Sequence, residues 1–191
     1  MASRLHAHRL YRANRLRSLP VAPYRYVARK VSRAKWQPPE DGSGRKATAD
    51  GVTACLKTSG NTLSLWRFHD KSDLAEIALA MVANADRVEA IDLAWLDLSI
   101  LDRYAHAESL GLTPVTDLQS RHIDLCRMDG RQLLDFADSL FDAIQASNSE
   151  RYSLKQLIGL LHQAVKDGRV LPDQLKEKVR QELASTTPSP R

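Results

Sequence analysis

His122, Asp124 and Cys126 stand two residues apart in Arg121–Met128, a stretch in which polar and apolar residues alternate. Alternation of period two is the pattern of a half-buried β-strand, and side chains at i and i+2 of a strand point to the same side. The three therefore share one face. A histidine, a carboxylate and a thiol hold the parts of nucleophilic catalysis: a base, the group that orients it and a nucleophile. Spacing limits what they can do together. At about 3.3 Å per residue, His122 and Cys126 lie roughly 13 Å apart, beyond the reach of proton transfer or of a shared metal. His122 beside Asp124 remains as a base with its orienter, against the plainer reading of a solvent-facing polar strip. An enzyme using this pair would gather several of His69, Asp97, His122 and Asp124 in one concave pocket.

Other reactive residue types carry less. Cys55 falls in an apolar run and reads as a small core residue. His6 and His8 form only a weak metal pair, and His106 and His162 have no ligand-type neighbours at useful spacing. Asp135, Asp138 and Asp142 recur on one helix face, where a solvated surface is the simpler account than a hard cation. No Gly-rich phosphate loop, GxSxG, HExxH or CxxC occurs. The expectation is therefore no cofactor, no metal and no catalytic residue, with a non-enzymatic protein preferred over an enzyme.

Charge is distributed unevenly. Ten of the 28 Lys/Arg lie in the first 36 residues, which hold none of the 23 Asp/Glu, so residues 37–191 sum to −5 in a chain of +5. Cations without nearby carboxylates neutralise phosphates, and the interleaved Tyr11, Tyr24, Tyr26 and Trp36 offer rings for stacking. Proline at 20 and 23 divides the segment. Residues 1–23 read as a functional arm, a processed leader or an over-extended start. Residues 24–36 read as an amphipathic helix, with Tyr24, Val27, Ala28, Val31 and Ala34 on one face and a basic stripe on the other. That stripe, Arg25, Arg29, Lys30 and Arg33 with Lys35 beside it, is the candidate contact for nucleic acid or another anionic partner.

The remaining elements follow from periodicity and punctuation. Residues 37–50, with Pro38, Pro39, Gly42 and Gly44, read as a linker. Val52–Lys57 and Thr62–Phe68 around Ser59-Gly60-Asn61 predict a β-hairpin. Helices are predicted over 72–85, 98–110 and 130–147, and strands over 88–96 and 121–128. The body so defined spans 51–148. Ser153 opens a helix that Gly168 ends, and Pro172 opens another carrying Leu175, Val179 and Leu183. These form a C-terminal helical hairpin over 149–184, before a disordered tail at 185–191. The fold class is α+β: a small mixed four-stranded sheet starting with a β-hairpin, covered by helices, plus the C-terminal helical hairpin and the basic N-terminal arm.

Together these features predict a small cytoplasmic binding or adaptor protein. The basic arm would engage an anionic partner, whether nucleic acid, ribosome or an acidic protein surface. The body and the seam Leu175, Val179 and Leu183 would engage protein partners, as a homodimer or a hetero-complex. No membrane contact is expected, because the apolar runs are too short to span a bilayer. With two cysteines, a disulfide framework is not expected either. Two alternatives stand beside this reading: a nucleic-acid-binding regulator that uses the 24–36 helix, and an enzyme with its site near His122 and Asp124.

Overall fold

The computed structural model describes residues 24–38, 47–58 and 60–186. The leader at 1–23, residues 39–46 of the linker and the tail at 187–191 lie outside the described residues, as does Ser59 of the turn. Six strands form one sheet: β1 Tyr26–Val31, β2 Thr62–Phe68, β3 Ile91–Asp97, β4 His106–Glu108, β5 His122–Cys126 and β6 Ser149–Tyr152. Their spatial order is β4-β5-β2-β1-β3-β6, and each pairing is antiparallel. The α+β class is therefore right, but the mixed four-stranded sheet is replaced by an antiparallel six-stranded one.

The largest correction falls on residues 24–36. They form no amphipathic helix: β1 runs through the middle of the sheet, and a 3-10 turn follows at Arg33–Lys35. The physical reason is burial on both sides. Val27 and Val31 enter one core and Ala28 the other. Six residues with apolar side chains on both faces suit either period, so composition alone did not separate strand from helix.

The predicted first hairpin fails as well. The first predicted strand, Val52–Lys57, is instead the end of a helix and the residues after it: α1 spans Ala49–Cys55, and its N-terminus is capped by Thr48, whose hydroxyl accepts from Gly51 N–H at 3.0 Å. The turn chemistry ahead of β2 survives, since Gly60 and Asn61 both adopt positive φ (58° and 59°). The helix predicted over 98–110 divides into a 3-10 segment, Leu98–Arg103, and the short strand β4. The strand β6 was not foreseen.

The other helices fall where periodicity placed them: α2 Leu74–Ala83, α3 Gly130–Gln145 and α4 Leu154–Lys166. The last two open with capping boxes at Asp129/Gln132 and Ser153/Gln156. In α3 the fully buried aromatic is Phe136, and Leu134 is exposed. The final helix, α5 Glu177–Thr186, begins later than predicted, because Pro172–Gln174 is a 3-10 turn. Ser185 and Thr186, read as tail, belong to α5.

Helices cover both faces of the sheet. Trp36, α1 and α3 pack on Val27, Val31, Leu63, Leu65, Ile123 and Leu125. On the other face α2, α4 and α5 pack on Ala28, Trp66, Phe68, Leu93 and Trp95. Leu175, Val179 and Leu183 are buried within this second core. No helix of the described residues is long and apolar enough to cross a membrane.

Two local features position the candidate site. First, β1 pairs with β3 along its whole length but with β2 only from Tyr26 to Ala28. Beyond Ala28 the two central strands part, and the Arg29 side chain fills the gap. Its Nε and Nη2 donate to the Cys55 carbonyl at 3.1 and 2.8 Å, and its Nη1 donates to the Ser64 carbonyl at 2.6 Å. Second, the chain leaving β4 crosses the Trp66 indole at Gly111, whose N–H donates to the Gln119 carbonyl at 2.9 Å. A Cβ at Gly111 would stand 2.4 Å from Trp66 Cη2 and 3.1 Å from His122 Cβ. Gly111→Ala is accordingly expected to cost about 1–3 kcal/mol in urea unfolding, the usual range for overpacking. Wild-type stability in that variant would show that the loop does not need this close approach.

Candidate active site

The candidate site is assembled from cross-strand neighbours. In the β2–β5 register Ser64 faces Asp124 and Trp66 faces His122. The Ser64 hydroxyl donates to Asp124 Oδ1 at 2.8 Å, and the His122 ring meets the Trp66 indole edge-on at a centroid distance of 5.1 Å. Ser109, just after β4, supplies the third side chain. Its Oγ lies 2.7 Å from Asp124 Oδ2 and 2.6 Å from His122 Nδ1. β4 is tied to β2 by the Arg67–Glu108 ion pair, and Arg67 also donates to the Ser120 carbonyl.

Proton bookkeeping fixes the tautomer. The Ser109 hydroxyl has a single hydrogen, and the Asp124 carboxylate can only accept. Ser109 therefore donates to Asp124, and His122 Nδ1–H donates to Ser109 Oγ. Burial holds the His122 pKa below its usual value; the charges of Arg29 and Arg67 push it the same way and that of Asp124 opposes them. The imidazole is neutral near pH 7, with its Nε2 lone pair unprotonated. Nε2 stands 3.9 Å from Asp124 Oδ1, and with a neutral ring this approach is not an ion pair. The order is histidine, serine, aspartate. A serine nucleophile would need the histidine as its acceptor, and here the serine is the middle link of a relay.

These groups open onto a cavity of about 700 Å³ at the parting of β1 and β2. Residues from both faces of the sheet line it: Arg29 and Cys55 from one, Lys30, Ser64, His122 and Asp124 from the other. Burial lowers the pKa of Arg29, partly offset by the charges of Cys55 and Asp124. Cys55 Sγ accepts from Ser32 N–H at 3.1 Å and from the Trp36 indole at 3.3 Å.

The structure separates the residues singled out from sequence. His122 and Asp124 meet in the cavity, whereas His69 and Asp97 are exposed elsewhere. Cys126 does not join them; its Sγ lies 3.4 Å from the Asp124 carbonyl oxygen. The basic stripe is dispersed. Arg25 precedes β1, Arg33 and Lys35 follow it, and these three with Lys30 are exposed while Arg29 points into the gap. Ser64, Trp66 and Ser109 were missed. Ser109 falls at the end of the helix expected over 98–110, where Gly111 reads as an ordinary helix stop, so nothing in the local sequence sets it apart. No group of three His, Cys, Asp or Glu suited to a metal ion is present among the described residues. Comparison with family models, curated proteins and solved structures finds no match.

Long-range proton–nitrogen NMR at neutral pH should show His122 with Nδ1 protonated and a pKa below 6.5. Ser109→Ala should return it to the ordinary Nε2–H form. As pH falls through about 6.5 the unfolded chain takes up the proton first, so the stabilising contribution of this group is complete above that pH and is lost toward the lower folded pKa. Urea stability should thus fall more steeply between pH 8 and 5 in the wild type than in His122→Gln. An Nε2–H tautomer in the wild type would refute the relay.

Proposed function

We propose that the chain is an enzyme acting on a small polar molecule, with His122 as general base. The observation that carries this is the hydrogen-bonded chain His122–Ser109–Asp124–Ser64 opening onto the cavity. His122 Nε2 takes a proton from the substrate or from a water. The positive charge so created on the ring is stabilised through Nδ1–H and the Ser109 hydroxyl by Asp124, which Ser64 holds in place. A base whose pKa lies near the working pH combines the right protonation state with adequate driving force. Trp66 excludes water from one side of the ring, and Gly111 lets the loop that carries Ser109 lie against that indole.

The test is to incubate the full chain with a cell metabolite extract and follow every species by mass spectrometry. The wild type should deplete at least one small molecule, and His122→Gln should slow that conversion by roughly 10²-fold or more. Identical profiles for the two proteins would overturn the assignment.

A second reading keeps the chain as a binding or adaptor protein for an anionic partner. Two observations favour it: Arg25, Lys30, Arg33 and Lys35 are exposed, and Arg4, Arg9, Arg12, Arg15 and Arg17 stand in an acid-free segment. The version that reads nucleic acid through a helix at 24–36 has lost that helix. If about six cations touch phosphates, log K for duplex DNA falls with log salt at a slope of roughly −5. Replacing the five arginines of residues 1–23 by glutamine should flatten that slope. A flat dependence in the wild type would remove this reading.

A further inference from the structure

We infer that Arg29 and Lys30 form an oxyanion subsite in the same cavity, and that its ligand is a small molecule with a carboxylate or phosphate head and an apolar body. The inference rests on reading the cavity as an active site, and names what the site binds.

The first argument is the state of Arg29. A guanidinium carries five N–H groups. Three hydrogen bonds take it to two backbone carbonyls, and among the described residues no carboxylate lies within ion-pair distance of it. Carbonyl dipoles only partly neutralise a full charge, and a half-buried cation with no counter-ion in contact keeps part of its desolvation cost. Asp124 acts on it from a distance, and both of its carboxylate oxygens already accept serine hydroxyls. The cation is held rigidly on its carbonyl side while lining an open cavity, so a planar anion would meet a pre-oriented fork.

Lys30 adds a second, mobile charge. Its side chain is 49 % exposed and reaches Glu89 only at 3.6 Å. It comes from the opposite face of β1, and the two cations line one cavity because the strands part between them. The rest of the lining explains the apolar body. Ala80, Met81, Trp66, Leu110 and Leu112 border the cavity. Leu110 and Leu112 are 71 % and 82 % exposed, an unusual state for two leucines flanking a buried, anchored glycine. A ligand with its oxyanion on Arg29 and its apolar part against these side chains would cover them, with His122 on the cavity wall beside it.

The test is an NMR titration of the isotope-labelled full chain with benzoate, phenyl phosphate and the neutral benzyl alcohol, reading the His122 ring, the Arg29 Nε–H and the Trp66 indole. At least one anion should bind about tenfold or more tightly than the alcohol. Preference for benzoate identifies a carboxylate head, and preference for phenyl phosphate a phosphate head. Arg29→Gln should remove that preference. Lys30→Gln, a change at a half-exposed side chain that leaves the fold alone, should weaken the preferred anion about threefold and leave the alcohol unchanged. Equal binding of alcohol and anions would overturn the subsite while leaving the cavity reading intact. Absence of any shift at millimolar probe would also overturn the subsite; the His122 tautomer tests the acid–base reading independently.

Discussion

The structure depends on one guanidinium. Arg29 sits where the two central strands separate, and it joins three parts of the chain that no strand pairing connects at that point: β1, the end of α1 and β2. Hydrogen bonds from charged donors are among the stronger ones, at about 1.5–3 kcal/mol each, and a buried acceptor stripped of its donor carries a similar penalty. The same side chain brings a desolvated cation into the fold, so the interaction both ties the sheet together and keeps an electrostatic demand open beside the cavity.

The rest of the site follows from that parting. An antiparallel sheet with helices on both faces has little room for a ligand while its strands stay paired. When β1 leaves β2 after Ala28, the β2–β5 pair presents Ser64, Trp66, His122 and Asp124 to open space. Register then decides the chemistry. Ser64 opposite Asp124 fixes the carboxylate, Trp66 opposite His122 desolvates the ring, and the β4–β5 turn delivers Ser109 to both. A shift of one residue in β5 would send His122 and Asp124 to the other face, so the relay is specified by the same pairing that buries Ile123 and Leu125.

Much of the scaffold could be read from the sequence, and the relay only in part. Long helices with a clear stripe and a cap, such as 130–145 and 154–166, declared themselves. So did β5, whose alternation placed His122 and Asp124 on one face. What failed were short segments. Tyr26–Val31 is buried on both faces and carries a basic residue that turns inward, so it imitated an amphipathic helix. His106–Glu108 has three residues, too few for any period. Arg29 was singled out from charge alone, as a solvent-facing contact, because nothing in composition distinguishes an exposed arginine from one that bonds two distant carbonyls. Ser109 lies 13 residues from His122, and only strand pairing brings them together. The seam of Leu175, Val179 and Leu183, read as a docking surface, is covered by the chain's own core.

Amide hydrogen exchange in Arg29→Met probes this tie, because methionine keeps the apolar stem of the side chain and removes every donor. Local opening registers as lost protection in the elements that have lost their tie. Protection should fall only in Thr62–Leu65 of β2 and in α1 through Leu56, with β1–β3 and β3–β6 pairing retained. Unchanged protection in β2 and α1, or an equal loss across all six strands, would contradict it.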